Sequence, residues 1–94
     1  MSAALALPAQ AALEQAPALL QQIDAALAAA SAEGLRIDAS ALSAFDTSTV
    51  ALLLHAQRIA RERGVPLQVT GASAKLRELA QLYGVEELLP LATT

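Results

Sequence analysis

The chain has 94 residues and a mass of 9.6 kDa, which allows one domain. Alanine and leucine fill 24 and 18 positions and aromatic residues only 2%, so small and branched aliphatic side chains must build the core. A net charge of −3 with six basic residues argues against binding of nucleic acid or of an anionic membrane surface. The absence of cysteine excludes disulfides, zinc–thiolate sites and cysteine nucleophiles.

Apolar periodicity and turn residues predict alternating strands and helices within a single domain, residues 1–94. The predicted strands are Ala3–Leu7, Leu35–Asp38 and Pro66–Thr70, and the predicted helices lie near 17–31, 48–63 and 73–83. The apolar tail Val85–Leu91 is consistent with a turn of helix followed by a brief strand. Gly34, Gly64 and Gly84 are predicted helix stops. This order predicts an α/β fold, with a small mixed β-sheet packed against three to four helices.

The N-terminal segment predicts no export signal, because it lacks a basic region and Pro8 interrupts its apolar run early. No stretch reaches the roughly 18 uncharged apolar residues that would span a bilayer. The sequence therefore predicts a soluble cytoplasmic protein without direct membrane insertion.

Most catalytic and metal-binding arrangements are disfavoured by the residue inventory. The single histidine, His55, rules out a two-histidine metal site, and the four glycines are too scattered for a phosphate-binding loop. Ser48, His55 and Asp46 could form a triad on paper, but nothing in the sequence positions them. Asp38 and Asp46 could hold a divalent cation, although a strand end and a helix cap explain them better. We predict no enzymatic activity, no metal and no cofactor.

The most unusual segment is the polar run from Asp46 through Thr47 and Ser48 to Thr49, at the predicted start of the second helix. Free backbone N–H groups at a helix N-terminus favour anions, including a phosphoryl group on a hydroxyl. Helix capping alone is the other interpretation. At the far end of this helix, a basic cluster of arginines is either a solvated helix end or a small recognition patch for an acidic partner. These arginines are Arg58, Arg61 and Arg63.

Four segments together resemble the core of the STAS domain family, the fold of anti-sigma-factor antagonists and related regulators. They are residues 35–42 (LRIDASAL), 45–54 (FDTSTVALLL), 64–71 (GVPLQVTG) and 76–84 (LRELAQLYG). Within the family the likeness is greatest to the MlaB-type subunits of Mla phospholipid-transport ABC complexes. It rests on the Asp46-Thr47 pair, on residues 50–55 (VALLLH) and on residues 79–83 (LAQLY).

The resemblance implies a non-catalytic accessory subunit, associated with the inner membrane through its complex, that binds and supports an ABC-transporter ATPase. The implied partner-binding or phosphorylation-site equivalents are Asp46, Thr47, Ser48 and Thr49. The alternative is an anti-sigma factor antagonist that an anti-sigma factor kinase phosphorylates at Thr47 or Ser48.

Two departures from the family pattern stand out. Thr49 replaces a usual glycine, and the usual first strand is missing or vestigial. Loss of that strand would leave the edge of the predicted strand Ala3–Leu7 uncovered. This predicts a homodimer of the isolated protein, through that edge or the face of the second helix.

Overall fold

The computed structural model describes residues 3–89 and residue 91, which form three strands and three α-helices in alternation. The strands are β1 (Ala3–Ala6), β2 (Leu35–Asp38) and β3 (Leu67–Thr70), and the helices are α1 (Ala16–Ala29), α2 (Thr47–Arg63) and α3 (Ala74–Leu82). Short 3-10 turns lie at Leu13–Gln15 and Glu86–Leu88. The predicted α/β fold class is confirmed, and each predicted strand and helix is present within two residues of its predicted ends.

The sheet has the order β1-β2-β3, and both described pairings are parallel. The expectation of a mixed sheet was therefore wrong for the described strands. A helix connects each pair of neighbouring strands. Such a crossover brings the chain back to the end of the sheet where the previous strand began, so the next strand runs in the same direction. Leu91 adds an isolated parallel bridge to Val69, which is the pairing that the predicted tail strand makes among the described residues.

Only one face of the sheet is buried. In β2 the side chains of Leu35 and Ile37 are buried, whereas Arg36 is exposed, and Arg36 lies in register with exposed Gln68 of β3. This alternation has the period of two that a sheet with one covered face requires. Helices α1 and α2 pack against each other and against the sheet, and α3 packs against α2.

The core consists of leucine, isoleucine, valine and alanine, as the composition predicts. In α1 the buried side chains of Leu19, Ile23 and Leu27 recur at helical spacing and form one apolar stripe. In α3 the side chains of Leu76 and Ala80 are buried, whereas Tyr83, just after the helix, is 53% exposed. None of the helices among the described residues is long and apolar enough to cross a membrane.

Candidate functional site

The first turn of α2 is fixed by Asp46, which is the N-cap residue. Its carboxylate Oδ1 accepts a hydrogen bond from the backbone N–H of Ser48 at 2.8 Å, and its own backbone N–H donates to Thr49 Oγ1 at 3.2 Å. This reciprocal arrangement satisfies N–H groups that a helix N-terminus otherwise leaves without partners. The capping interpretation of the polar run is therefore confirmed for Asp46. The helix begins at Thr47, one residue before the predicted start.

Thr49 connects α2 to the loop between β1 and α1. It is the one buried polar residue of the described core, at 1% exposure, and its hydroxyl donates to the backbone oxygen of Ala11 at 2.6 Å. Beside it, Asp46 Oδ2 accepts from the backbone N–H of Leu13 at 3.3 Å. The expectation that Thr49 faces a partner is wrong, because its side chain points into the protein and holds this loop. This contact gives Thr49 a structural role in the fold.

Thr47 and Ser48 have different surroundings from Thr49. Thr47 is exposed and Ser48 is half-buried, and neither hydroxyl forms a hydrogen bond within the part of the chain that the structure describes. The two neighbouring side chains line different grooves, one on each side of the α2 N-terminus. These grooves turn the start of α2 into a ridge with a hydroxyl on each side.

The groove beside Thr47 lies between α2 and α3 and holds about 530 Å³. Its lining residues are Ser43, Phe45, Asp46, Thr47, Lys75, Glu78, Leu79 and Leu82. Leu82 is 77% exposed. With half-buried Phe45 and Leu79 it forms an apolar strip, and Lys75 and Glu78 supply charges of opposite sign. Such a groove can accept an apolar side chain from another protein.

The groove beside Ser48 lies between the N-terminal halves of α1 and α2 and holds about 440 Å³. Ala16, Pro17, Leu20, Ala51 and Leu52 form its apolar walls, with Ser48 and His55 as its polar members. Because nearly all of its lining is apolar, this second groove offers few hydrogen-bond or ionic partners to a charged ligand.

His55 joins α2 to α1 instead of completing a triad. Its Nε2 lies 2.9 Å from Asp24 Oδ1, and Arg58 Nη2 lies 3.4 Å from its Nδ1. The Asp46 carboxylate is meanwhile engaged at the helix cap. The structure therefore does not bring Ser48, His55 and Asp46 together as nucleophile, base and orienting acid. His55 is a half-buried residue of α2 that contacts α1 through Asp24, which supports a structural role.

The carboxylates of Asp38 and Asp46 accept hydrogen bonds from nearby backbone N–H groups. Asp38 Oδ1 accepts from the backbone N–H of Ser40 at 2.9 Å, just after β2 ends. Hydrogen bonds from the side chain and the backbone of Ser40 lower the pKa of the Asp38 carboxyl below its ordinary value. No group of three or more metal-ligating side chains occurs among residues 3–89 and 91. Both carboxylates are engaged with backbone N–H groups, as the strand-end and helix-cap interpretation predicts.

Sequence reasoning missed several residues of the surface around Thr47. Leu82, Lys75 and Glu78 lie on α3, about 30 positions further along the chain, so no local pattern joins them to the α2 N-terminus. Asp24 on α1 is the partner of His55, 31 positions further along the chain. A pairing between two helices becomes visible only when their packing is known.

Comparison with known proteins identifies relatives at the level of family and fold. The family described as "Mlab, STAS domain" matches residues 2–90. No curated protein matches the chain.

Solved structures share the fold at low sequence identity. An anti-sigma-factor antagonist (STAS) domain protein from Planctomyces limnophilus has a TM-score of 0.78 at 20% identity, covering 97% of this chain and 81% of that one. A sulfate transporter family protein from Wolinella succinogenes has a TM-score of 0.72 at 14% identity, covering 95% and 74%. The anti-sigma factor antagonist SpoIIAA in its unphosphorylated form gives 0.71 at 18% identity, covering 99% and 83%. At these identities the likeness establishes the fold.

Proposed function

Because this chain belongs to the STAS domain family described as "Mlab, STAS domain", we propose that it is a non-catalytic accessory subunit of an Mla-type phospholipid-transport ABC system. In this role it binds the ATPase subunit, supports its activity and contributes to the lipid asymmetry of the outer membrane. It works in the cytoplasm and reaches the inner membrane through the complex.

The observation that carries this proposal is the exposed Thr47 on the ridge at the start of α2. Its hydroxyl has no partner among the described residues, and the apolar groove beside it opens to solvent. Protein interfaces combine apolar anchors with a few oriented polar groups, and this ridge offers both. The capping bonds of Asp46 and the buried hydroxyl of Thr49 hold the ridge in place without occupying Thr47.

The test is a pair of arginine substitutions measured for binding to the purified ABC ATPase of the same cell. We expect Thr47→Arg to weaken binding by tenfold or more, since the long charged side chain would project from the ridge and block the groove beside it. The matched control is Gln68→Arg, an exposed position on β3 away from both grooves of the ridge. This control should bind as the wild type does. Equal affinities for both variants would refute the assignment of the surface.

The cost of the arginine to the fold has to be separated from its effect on binding. A cation in the first turn of a helix opposes the helix dipole by about 0.3–1 kcal/mol. Circular dichroism and thermal unfolding should therefore show a folded Thr47→Arg protein with a slightly lowered midpoint. Thr47→Val, which removes only the hydroxyl, then reports whether that group itself contributes to the interface.

An anti-sigma factor antagonist is the second candidate, and the same exposed hydroxyl favours it. Thr47 is open to a kinase active site, and Ser48 lies next to it, half-buried. Two of the solved structures with this fold are described as anti-sigma-factor antagonists. Mass spectrometry of the protein from its native cell separates the two functions. Stoichiometric phosphate on Thr47 or Ser48 would favour the antagonist, and an unmodified segment that copurifies with the ATPase would favour the transport subunit.

A further inference from the structure

The exposed face of α2 continues well beyond its first turn. Its outward residues follow one another in steps of four, three, four and three positions: Thr47, Ala51, Leu54, Arg58 and Arg61. This spacing puts them in one stripe along the helix, hereafter the α2 stripe, and it is the spacing at which helices pack side by side. Ala51 is exposed and Leu54 only half-buried, so the N-terminal half of the stripe is small and apolar.

A groove of about 370 Å³ borders the C-terminal half of the α2 stripe. Its lining residues are Leu54, Gln57, Arg58, Arg61, Glu62 and Leu88. Leu88, on the 3-10 turn at 86–88, is 57% exposed and provides an apolar wall opposite α2. Two arginines and one glutamate leave the groove with an excess of one positive charge.

The arginines of this region stand out in an acidic chain. Three of the six basic residues lie in the last turns of α2, although the net charge is −3. Arg61 and Arg63 form no ion pair with any residue that the structure describes. Attraction to the negative end of the helix dipole accounts for cations on any side of the last turn. It does not account for Arg58 and Arg61 continuing the stripe that Ala51 and Leu54 begin.

We propose that the α2 stripe binds an acidic amphipathic helix of the partner protein. Small or apolar side chains of that helix would lie over Ala51 and Leu54, and its carboxylates would meet Arg58 and Arg61. Guanidinium–carboxylate pairs are directional and charge-assisted, so they would fix the register of the two helices. The stripe from Thr47 to Arg61 is about 21 Å long at 1.5 Å per residue, which corresponds to about four helical turns. This inference rests on the proposed function and adds the chemistry of the partner.

The test compares Arg61→Glu with Arg63→Glu in binding to the purified ABC ATPase. Both variants lie in the last turn of α2 and alter its charge equally, but only Arg61 lines the groove. We expect Arg61→Glu to weaken binding by about tenfold or more through like-charge repulsion. Arg63→Glu should stay within about twofold of the wild type. Raising the salt concentration should weaken wild-type binding more steeply than binding of Arg61→Glu.

The outcomes separate this inference from the proposed function. If the wild type binds the ATPase and both glutamate variants bind it with the wild-type affinity, the acidic-helix inference is wrong and the proposed function stands. If the wild type does not bind at all, the proposed function fails and this inference fails with it. Unchanged ATPase affinity of Arg61→Glu, combined with loss of binding to anionic phospholipid vesicles, would overturn the inference and assign the arginines to a lipid surface. Circular dichroism confirms that each variant is folded.

Discussion

Removing the hydroxyl of Thr49 while keeping its shape should destabilise the whole domain. Thr49→Val leaves the backbone oxygen of Ala11 and the backbone N–H of Asp46 without the bonds they make at 2.6 and 3.2 Å. A buried polar group that loses its partner costs about 1–3 kcal/mol. Because Asp46 is only half-buried, water can hydrogen-bond to its backbone N–H in the variant. The expected total loss in the free energy of unfolding is therefore about 2–3 kcal/mol.

That loss is large for a chain of this size. Domains of this length are stable by about 5–14 kcal/mol, and each kcal/mol moves the melting temperature by about 4–8 °C. The variant should therefore melt about 10–20 °C lower than the wild type. Urea unfolding followed by circular dichroism measures the free-energy change directly.

Two matched variants isolate the buried hydroxyl as the cause. Thr47→Val makes the same chemical change two positions earlier on an exposed side chain, and its free energy of unfolding should stay within about 0.5 kcal/mol of the wild type. Thr49→Ser keeps the hydroxyl and removes one methyl group, which costs about 1 kcal/mol. The reasoning would be refuted if Thr49→Val unfolded within 0.5 kcal/mol of the wild type, or if Thr47→Val lost as much stability as Thr49→Val.

Three further predictions concern the rest of the fold. Gly34→Ala should destabilise the domain by about 1–3 kcal/mol in urea unfolding, because Gly34 has a φ of 105° and an added Cβ would lie 2.6 Å from the Pro66 backbone oxygen; an unchanged midpoint would contradict this. By NMR titration, Ser40→Ala should raise the pKa of Asp38 toward its ordinary value. Since folding lowers that pKa, the contribution of Asp38 to stability is present above its unfolded-state pKa and is lost as the pH falls through the folded-state value. The isolated protein should be a homodimer, through the edge of β1 or the face of α2, and a mass near 9.6 kDa by light scattering at tens of micromolar would refute this.

Local signals in the sequence were sufficient for the order and type of the elements. Asp46 and Ser73 carry the side-chain oxygens that cap α2 and α3, and Gly64 ends α2 with a φ of 68°. Helix caps and glycine stops depend on residues within one helical turn, so they can be recognised from the sequence alone. The alternation of apolar and polar residues in Leu35–Asp38 likewise matches the burial of β2, in which Leu35 and Ile37 face the core.

Features that depend on distant partners could not be read in the same way. Thr49 has the same residue type as Thr47 and lies two positions away, yet its bond to Ala11 spans 38 positions. Their different exposures follow from the packing of the loop before α1, which no local pattern reports. The parallel direction of the described strand pairs also depends on how the crossovers return, so the alternation of strands and helices did not settle it.

The most direct test of the account is photo-crosslinking from position 47 inside the native cell. A photoreactive amino acid replaces Thr47, the cells are irradiated, and mass spectrometry identifies the protein joined to that position. The same amino acid at Gln68, exposed on β3 away from the ridge, is the control. We expect position 47 to crosslink to the ATPase of an ABC transporter and position 68 not to. Crosslinking of position 47 to an anti-sigma factor kinase, or equal crosslinking of the ATPase from both positions, would contradict it.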